Sequence, residues 1–152
     1  MQKIFGFFSI VALGALSFYA AQHLKSDGNQ PPRLEWQQNC DLQSEACVVE
    51  LSDGAQLRFE MLPRPLPLMK TMEVNAALSS ENWMPRQLTI VGTNMEMGIN
   101  RSDLSPTSSG VWQGETILPL CSQRHMKWEA QLLLQGPTGL IVVPFAFETM
   151  QR

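Results

Sequence analysis

Histidine, tyrosine and excess basic charge are all scarce in this chain. Its 152 residues hold two histidines, one tyrosine, and 11 Lys and Arg against 14 Asp and Glu, for a formal net charge of -3. Phosphate binding needs a clustered surplus of Lys and Arg, so nucleic acid is excluded as a partner. The densest basic stretch, Arg124-His125 followed by Lys127, reads as ordinary solvated surface. With His23 and His125 as the only imidazoles, a hydrolase built on Ser or Cys beside an oriented base finds no partners. There is no Gly-x-Ser-x-Gly, no glycine-rich phosphate loop and no Cys-x-x-Cys. Cys121 and His125 stand four apart without a paired acid, so no catalytic dyad is read there, and the chain is expected not to be an enzyme.

What is present begins with a leader. Lys3 precedes an uncharged run, IFGFFSIVALGALSFYAA, of about 18 residues, near the lower limit for a helix crossing a bilayer. Cleavage after Ala20 or Ala21 would leave bulky Phe18 or Tyr19 at the -3 position, which favours an uncleaved signal-anchor over a removed leader. Residues 1–23 are therefore expected to be a transmembrane helix, with Tyr19 and His23 closing the span at the interface. Residues 24–45, rich in Gly, Pro and amides, read as an extended mobile tether. Residues 46–152 are the exported domain, placed in the periplasm of a single-pass protein of the bacterial inner membrane.

Export changes the meaning of Cys40, Cys47 and Cys121, since two of three should pair in an oxidising compartment. Cys40 and Cys47, in NCDLQSEAC, close a short local loop. Pairings through Cys121 stay open on sequence grounds.

The domain has a period of two. ACVVEL and AQLRFEML flank Ser52-Asp53-Gly54, a hairpin signal with glycine set for positive φ. PRPLPLM carries three prolines and is expected as an extended edge crossing. TMEVNAAL, RQLTIVGTNM, VWQGETILPL, HMKWEAQLLL and LIVVPFAFE alternate as strands, and SDLSPTSSG reads as turn. Pro144 marks the last strand as an edge or a bulge. About seven short strands with turns between them predict an all-β, immunoglobulin-like β-sandwich.

Nine methionines raise the question of soft-metal chemistry, because thioethers and thiolates suit Cu(I). In extended backbone, Met95 and Met97 of GTNMEMGINR project from one face. LPLCSQRHM offers Cys121, His125 and Met126 within one turn. If both loops occupy the same end of the sandwich, these five residues form a copper(I) site, with Trp83-Met84-Pro85 supplying a further thioether or an aromatic lid. Methionine also fills irregular cores, and Met95 and Met97 buried under their loop, with Asn94 and Arg101 hydrogen-bonding the turn, would explain the motif without metal. Met72 and Met126 lie in phase with buried faces, and Met61 and Met69 flank the proline segment, where packing is the simpler account.

An anchor, a short tether and a small exported sandwich with a Met-x-Met-Gly loop resemble the FixH-like and YtkA-like proteins of bacterial envelopes. The segments that carry the resemblance are PRPLPLM, NMEMGINR and LPLCSQRHMKWEA. It implies a periplasmic accessory that handles copper or attends assembly of a membrane respiratory oxidase. The second expectation is a metal-free sandwich that docks onto another envelope or membrane protein.

Overall fold

The computed structural model describes residues 30–35, 40–108 and 110–151. The chain divides into a unit over 1–31 and a unit over 32–152, and the second is described here. The expected anchor over residues 1–23 lies outside the described residues. Among the described residues no helix is long and apolar enough to cross a membrane.

Alternation decides the architecture. β1 (Cys47–Glu50) and β2 (Gln56–Leu62) form the hairpin around Ser52-Asp53-Gly54, pairing Glu50 with Gln56. Gly54 has φ of 80°, a backbone open to glycine at little cost. β3 (Thr71–Leu78) buries Met72, Val74, Ala76 and Leu78 in strict alternation. β4 (Met84–Gly92) crosses to the other sheet and buries Leu88 and Ile90. β8 (His125–Gly136) and β9 (Gly139–Met150) pair along their whole lengths and turn Met126, Trp128, Ala130, Leu132, Leu134, Val143, Phe145 and Phe147 inward.

The stretch read as a turn, SDLSPTSSG, instead supplies two strands, β5 (Asn100–Asp103) and β6 (Ser105–Ser108). They belong to different sheets, so the chain changes sheet at Leu104, which is buried. Both are edge strands with mainly solvent-facing side chains, which removes the apolar alternation that would have revealed them. The crossing packs on β7 (Val111–Ile117), where a Cβ on Gly114 would stand 2.7 Å from the Asp103 carbonyl oxygen.

The result is two antiparallel sheets in the orders β1-β2-β3-β7-β6 and β5-β4-β8-β9. Among the described residues nine strands form this sandwich, where about seven were expected. The inner faces share one apolar core, in which Phe59 of the first sheet stacks on Phe145 of the second at 4.5 Å between ring centroids. Burying each such side chain contributes about 1.5–3 kcal/mol. Trp128 is buried beside them and donates its indole N–H to Thr149 Oγ1 at 2.9 Å, which satisfies the one polar atom a buried tryptophan brings.

The proline segment PRPLPLM is the loop between β2 and β3, touching the rest of its sheet through a bridge from Leu68 to Leu118. Pro144 sits in β9, the edge strand expected for it. Val142 N–H donates to Pro32 O and Val142 O accepts from Leu34 N–H, both at 2.9 Å. By alternation the nitrogen of Pro144 points to that same outer edge, so its missing donor costs the β8–β9 ladder nothing. Residues 32–34 thus run parallel to β9, and Arg33 is ion-paired with Glu129. Further along the expected tether, Leu42 is fully buried and Gln43 Nε2 donates to Glu148 O at 2.7 Å.

The end of the sandwich holding the β1–β2 and β8–β9 turns is locked by Trp83. Its indole N–H donates to Asp53 Oδ2 at 2.9 Å, and its ring lies against Gly136, closer than a Cβ there would tolerate. Gly136→Ala is therefore expected to lose about 1–3 kcal/mol to overpacking, measured by denaturant unfolding. An unchanged midpoint would refute the contact. The Asp53 carboxyl is held below its ordinary value of 3.8, first by the Trp83 bond and then by the backbone N–H of Ala55. A depressed carboxyl stabilises the fold above the unfolded-state value and loses that contribution as pH falls through the lower folded one. The melting-temperature gap between the wild type and Asp53→Asn should accordingly be widest at neutral pH and narrow below 3.8, and a gap constant with pH would contradict the assignment.

Candidate functional site

At the opposite end, where β4, β7 and β9 finish, the loop after β4 meets the segment leading into β8. Thr93 N–H donates to Lys127 O at 2.8 Å. Asn94 then spans the gap: its Nδ2 donates to His125 O at 2.9 Å and to Gln123 Oε1 at 3.0 Å, while its Oδ1 accepts from Lys127 N–H at 3.0 Å. A primary amide, donor on one side and acceptor on the other, fits this role. Gly98, with φ of 70°, lets the loop turn, and Asn100 Nδ2 fastens its far side to Ile117 O at 2.7 Å.

These bonds bring four of the five expected sulfur or imidazole residues to the joined loops. Met95 and Met97 are half-buried and packed against the core. A Cβ on Gly92 would stand 3.2 Å from both Met97 Cγ and Met126 Cε and would strike the Met95 carbonyl. Ser122 Oγ donates to Met95 Sδ at 3.8 Å, tying the first loop to the segment that carries Cys121. Cys121 is a buried free cysteine, its Sγ directed to Pro119 O at 3.7 Å, and burial pushes its thiol up. Met126 is buried in phase with the core, as are Met61 and Met72, whereas Met69 is exposed.

His125 does not turn with them. Successive β8 side chains face opposite sides, so with Met126 inward His125 points out, its Nε2 2.6 Å from Glu148 Oε2. Lys127 Nζ lies 3.8 Å from the other oxygen of that carboxylate. Exposed ion pairs of this kind contribute little. Trp83-Met84-Pro85 is at the far end of β4 from Gly92 and does not approach the methionine loop. Among the described residues no three His, Cys, Asp or Glu side chains gather where they could hold a metal ion. What the joined loops carry is three thioethers, of Met95, Met97 and Met126, and the thiol of Cys121, groups whose softness suits soft cations over hard ones.

Sequence reasoning passed over Gly92 and Ser122. An isolated glycine inside a strand pattern marks close backbone approach, and that signal was available at Gly92. Nothing in the spacing of SQRH singles out Ser122.

No family model matches the chain, and no curated protein matches it. Among solved structures, murine CRIg is similar with a TM-score of 0.40 and 8% identity, covering 63% of this chain and 98% of that one. A likeness at that level carries no argument.

Cys40 and Cys47 form a disulfide with Cα atoms 5.5 Å apart, the spacing such bonds require. Titration of the denatured, unreduced chain should find the single thiol of Cys121. A count of three would remove the disulfide from the fold.

Proposed function

We propose that the chain is a membrane-anchored, exported accessory protein that holds Cu(I) at its loop end or attends assembly of a membrane respiratory oxidase. One observation carries the reading. The Met95-x-Met97 loop and the Cys121–Met126 segment, 24 residues or more apart in sequence, are pinned together by Asn94 and Ser122, with Met97 and Met126 both reaching the space at Gly92. The ion is cargo here, bound by side chains whose softness matches it. The Cys40–Cys47 disulfide fits an oxidising compartment, in keeping with the expected anchor and periplasmic domain. The resemblance to FixH-like and YtkA-like proteins supplies the oxidase connection.

The strand order supports the immunoglobulin-like part of the expectation. Reading β2, β3, β4, β5, β6, β7, β8 and β9 as A, B, C, C′, D, E, F and G, the sheets have the orders A-B-E-D and C′-C-F-G, those of immunoglobulin sandwiches. β1 is then an added edge strand.

The second reading, a sandwich that docks onto an envelope or membrane protein without metal, is favoured by a different observation. Met69, Ile99, Ile117, Leu120 and Met150 are exposed large apolar side chains, and all lie at the loop end. Gathered apolar surface marks contact sites, and methionine adapts to varied partners.

The readings separate on the full-length chain in detergent. Under reducing conditions that leave the disulfide intact, it should take up one equivalent of Cu(I) in competition with a chromophoric chelator. Replacing Met95 and Met97 together with Leu conserves volume and should abolish that uptake while leaving the circular dichroism spectrum unchanged. Equal affinity in the double variant would eliminate the copper reading and leave the docking module.

A further inference from the structure

A metal site of flexible thioethers can arise in two ways. The ion can gather ligands that are otherwise free, or the protein can hold them ready and spare the ion that ordering cost. Two features at the loop end decide between these. The first is the space at Gly92, which lies between β4 and its loop. Its hydrogen faces Met97 Cγ and Met126 Cε at distances that would be 3.2 Å from a Cβ, and the Met95 carbonyl closes over the same point. No positive φ is required at Gly92, so its role is one of volume. A side chain there would collide with the Met95 carbonyl and press on both Met97 and Met126.

The second feature is Asn94. It is exposed, yet it makes three hydrogen bonds across the gap to Gln123, His125 and Lys127. Two of these engage backbone groups of β8 on either side of Met126. They fix the loop's first residues to the strand that carries Met126 and hold Met95 within reach of Ser122, next to Cys121. Exposed side-chain bonds contribute modestly to stability, and the fold rests instead on the inter-sheet core. Their effect is on where the sulfur atoms stand.

We infer that Gly92 and Asn94 are positioning residues that preset the sulfur site before an ion arrives. The inference rests on the Cu(I) reading above and adds two residues that touch no ion themselves. Residues orienting a metal's ligands typically account for 10–100-fold in affinity.

The test measures Cu(I) affinity by chelator competition for the full-length chain and for Asn94→Ala, Asn94→Asp and Gly92→Ala, with melting temperature and methionine methyl NMR recorded alongside. Asn94→Asp keeps the acceptor for Lys127 N–H and loses the donors to Gln123 and His125, so it divides the clamp even if Gly92→Ala does not fold. The expected result is an affinity loss of about tenfold or more for Asn94→Ala, a smaller loss for Asn94→Asp, and displaced ε-methyl resonances of Met95 and Met97 in the metal-free chain. Wild-type affinity in the Asn94 variants would overturn the inference, whatever their melting temperatures, and would show that the ion gathers its own ligands. A wild-type chain that binds no Cu(I) would overturn the functional reading, and the inference with it.

Discussion

Two sheets remain face to face only while both inner surfaces exclude water, and here that depends on strands keeping one unbroken alternation. The stack of Phe59 on Phe145 lies where the two inner faces meet, with Trp128 buried in the same core. Slipping β8 against β9 by a single residue would turn Met126, Trp128 and Ala130 toward solvent and bring Lys127 and Glu129 inside. Twelve residues of continuous pairing between these strands make that slip prohibitive. The loop end inherits its precision from this register, because Met126 is the second residue of β8 and cannot move without the strand.

Strands that bury one face were legible in the sequence for the same reason. The period-two pattern at Met72–Leu78, Leu88–Ile90, Met126–Leu134 and Val143–Phe147 is the direct print of a half-buried surface. Ser52-Asp53-Gly54 marked its hairpin through glycine's backbone freedom, and Pro144 marked an edge through its missing donor. β5 and β6 were not legible, since edge strands of Asn, Arg, Ser, Asp, Pro and Thr have no core face to announce. Leu104, the buried residue between them, is a single apolar position with no periodicity around it.

The site was legible in its residue types and not in its geometry. Met-x-Met spacing places two thioethers on one side, and sequence could pose the condition that the two loops share an end. It could read Asn94 as a hydrogen-bonding residue of its own turn, but not that its bonds would reach across to Gln123, His125 and Lys127, because asparagine is among the commonest of turn residues. Nor could it separate His125 from Met126, which look like neighbours in a ligand set until the phase of β8 sends them to opposite faces.

The direction of residues 32–34 beside β9 has a further consequence. The chain comes in next to Val142, near the β8–β9 turn, and travels the same way as β9. From Val142 to the strand's end is about 27 Å at roughly 3.4 Å per residue. The described unit is thus entered at the end that holds the β8–β9 turn, and the loops joined by Asn94 stand a full strand length away at the other.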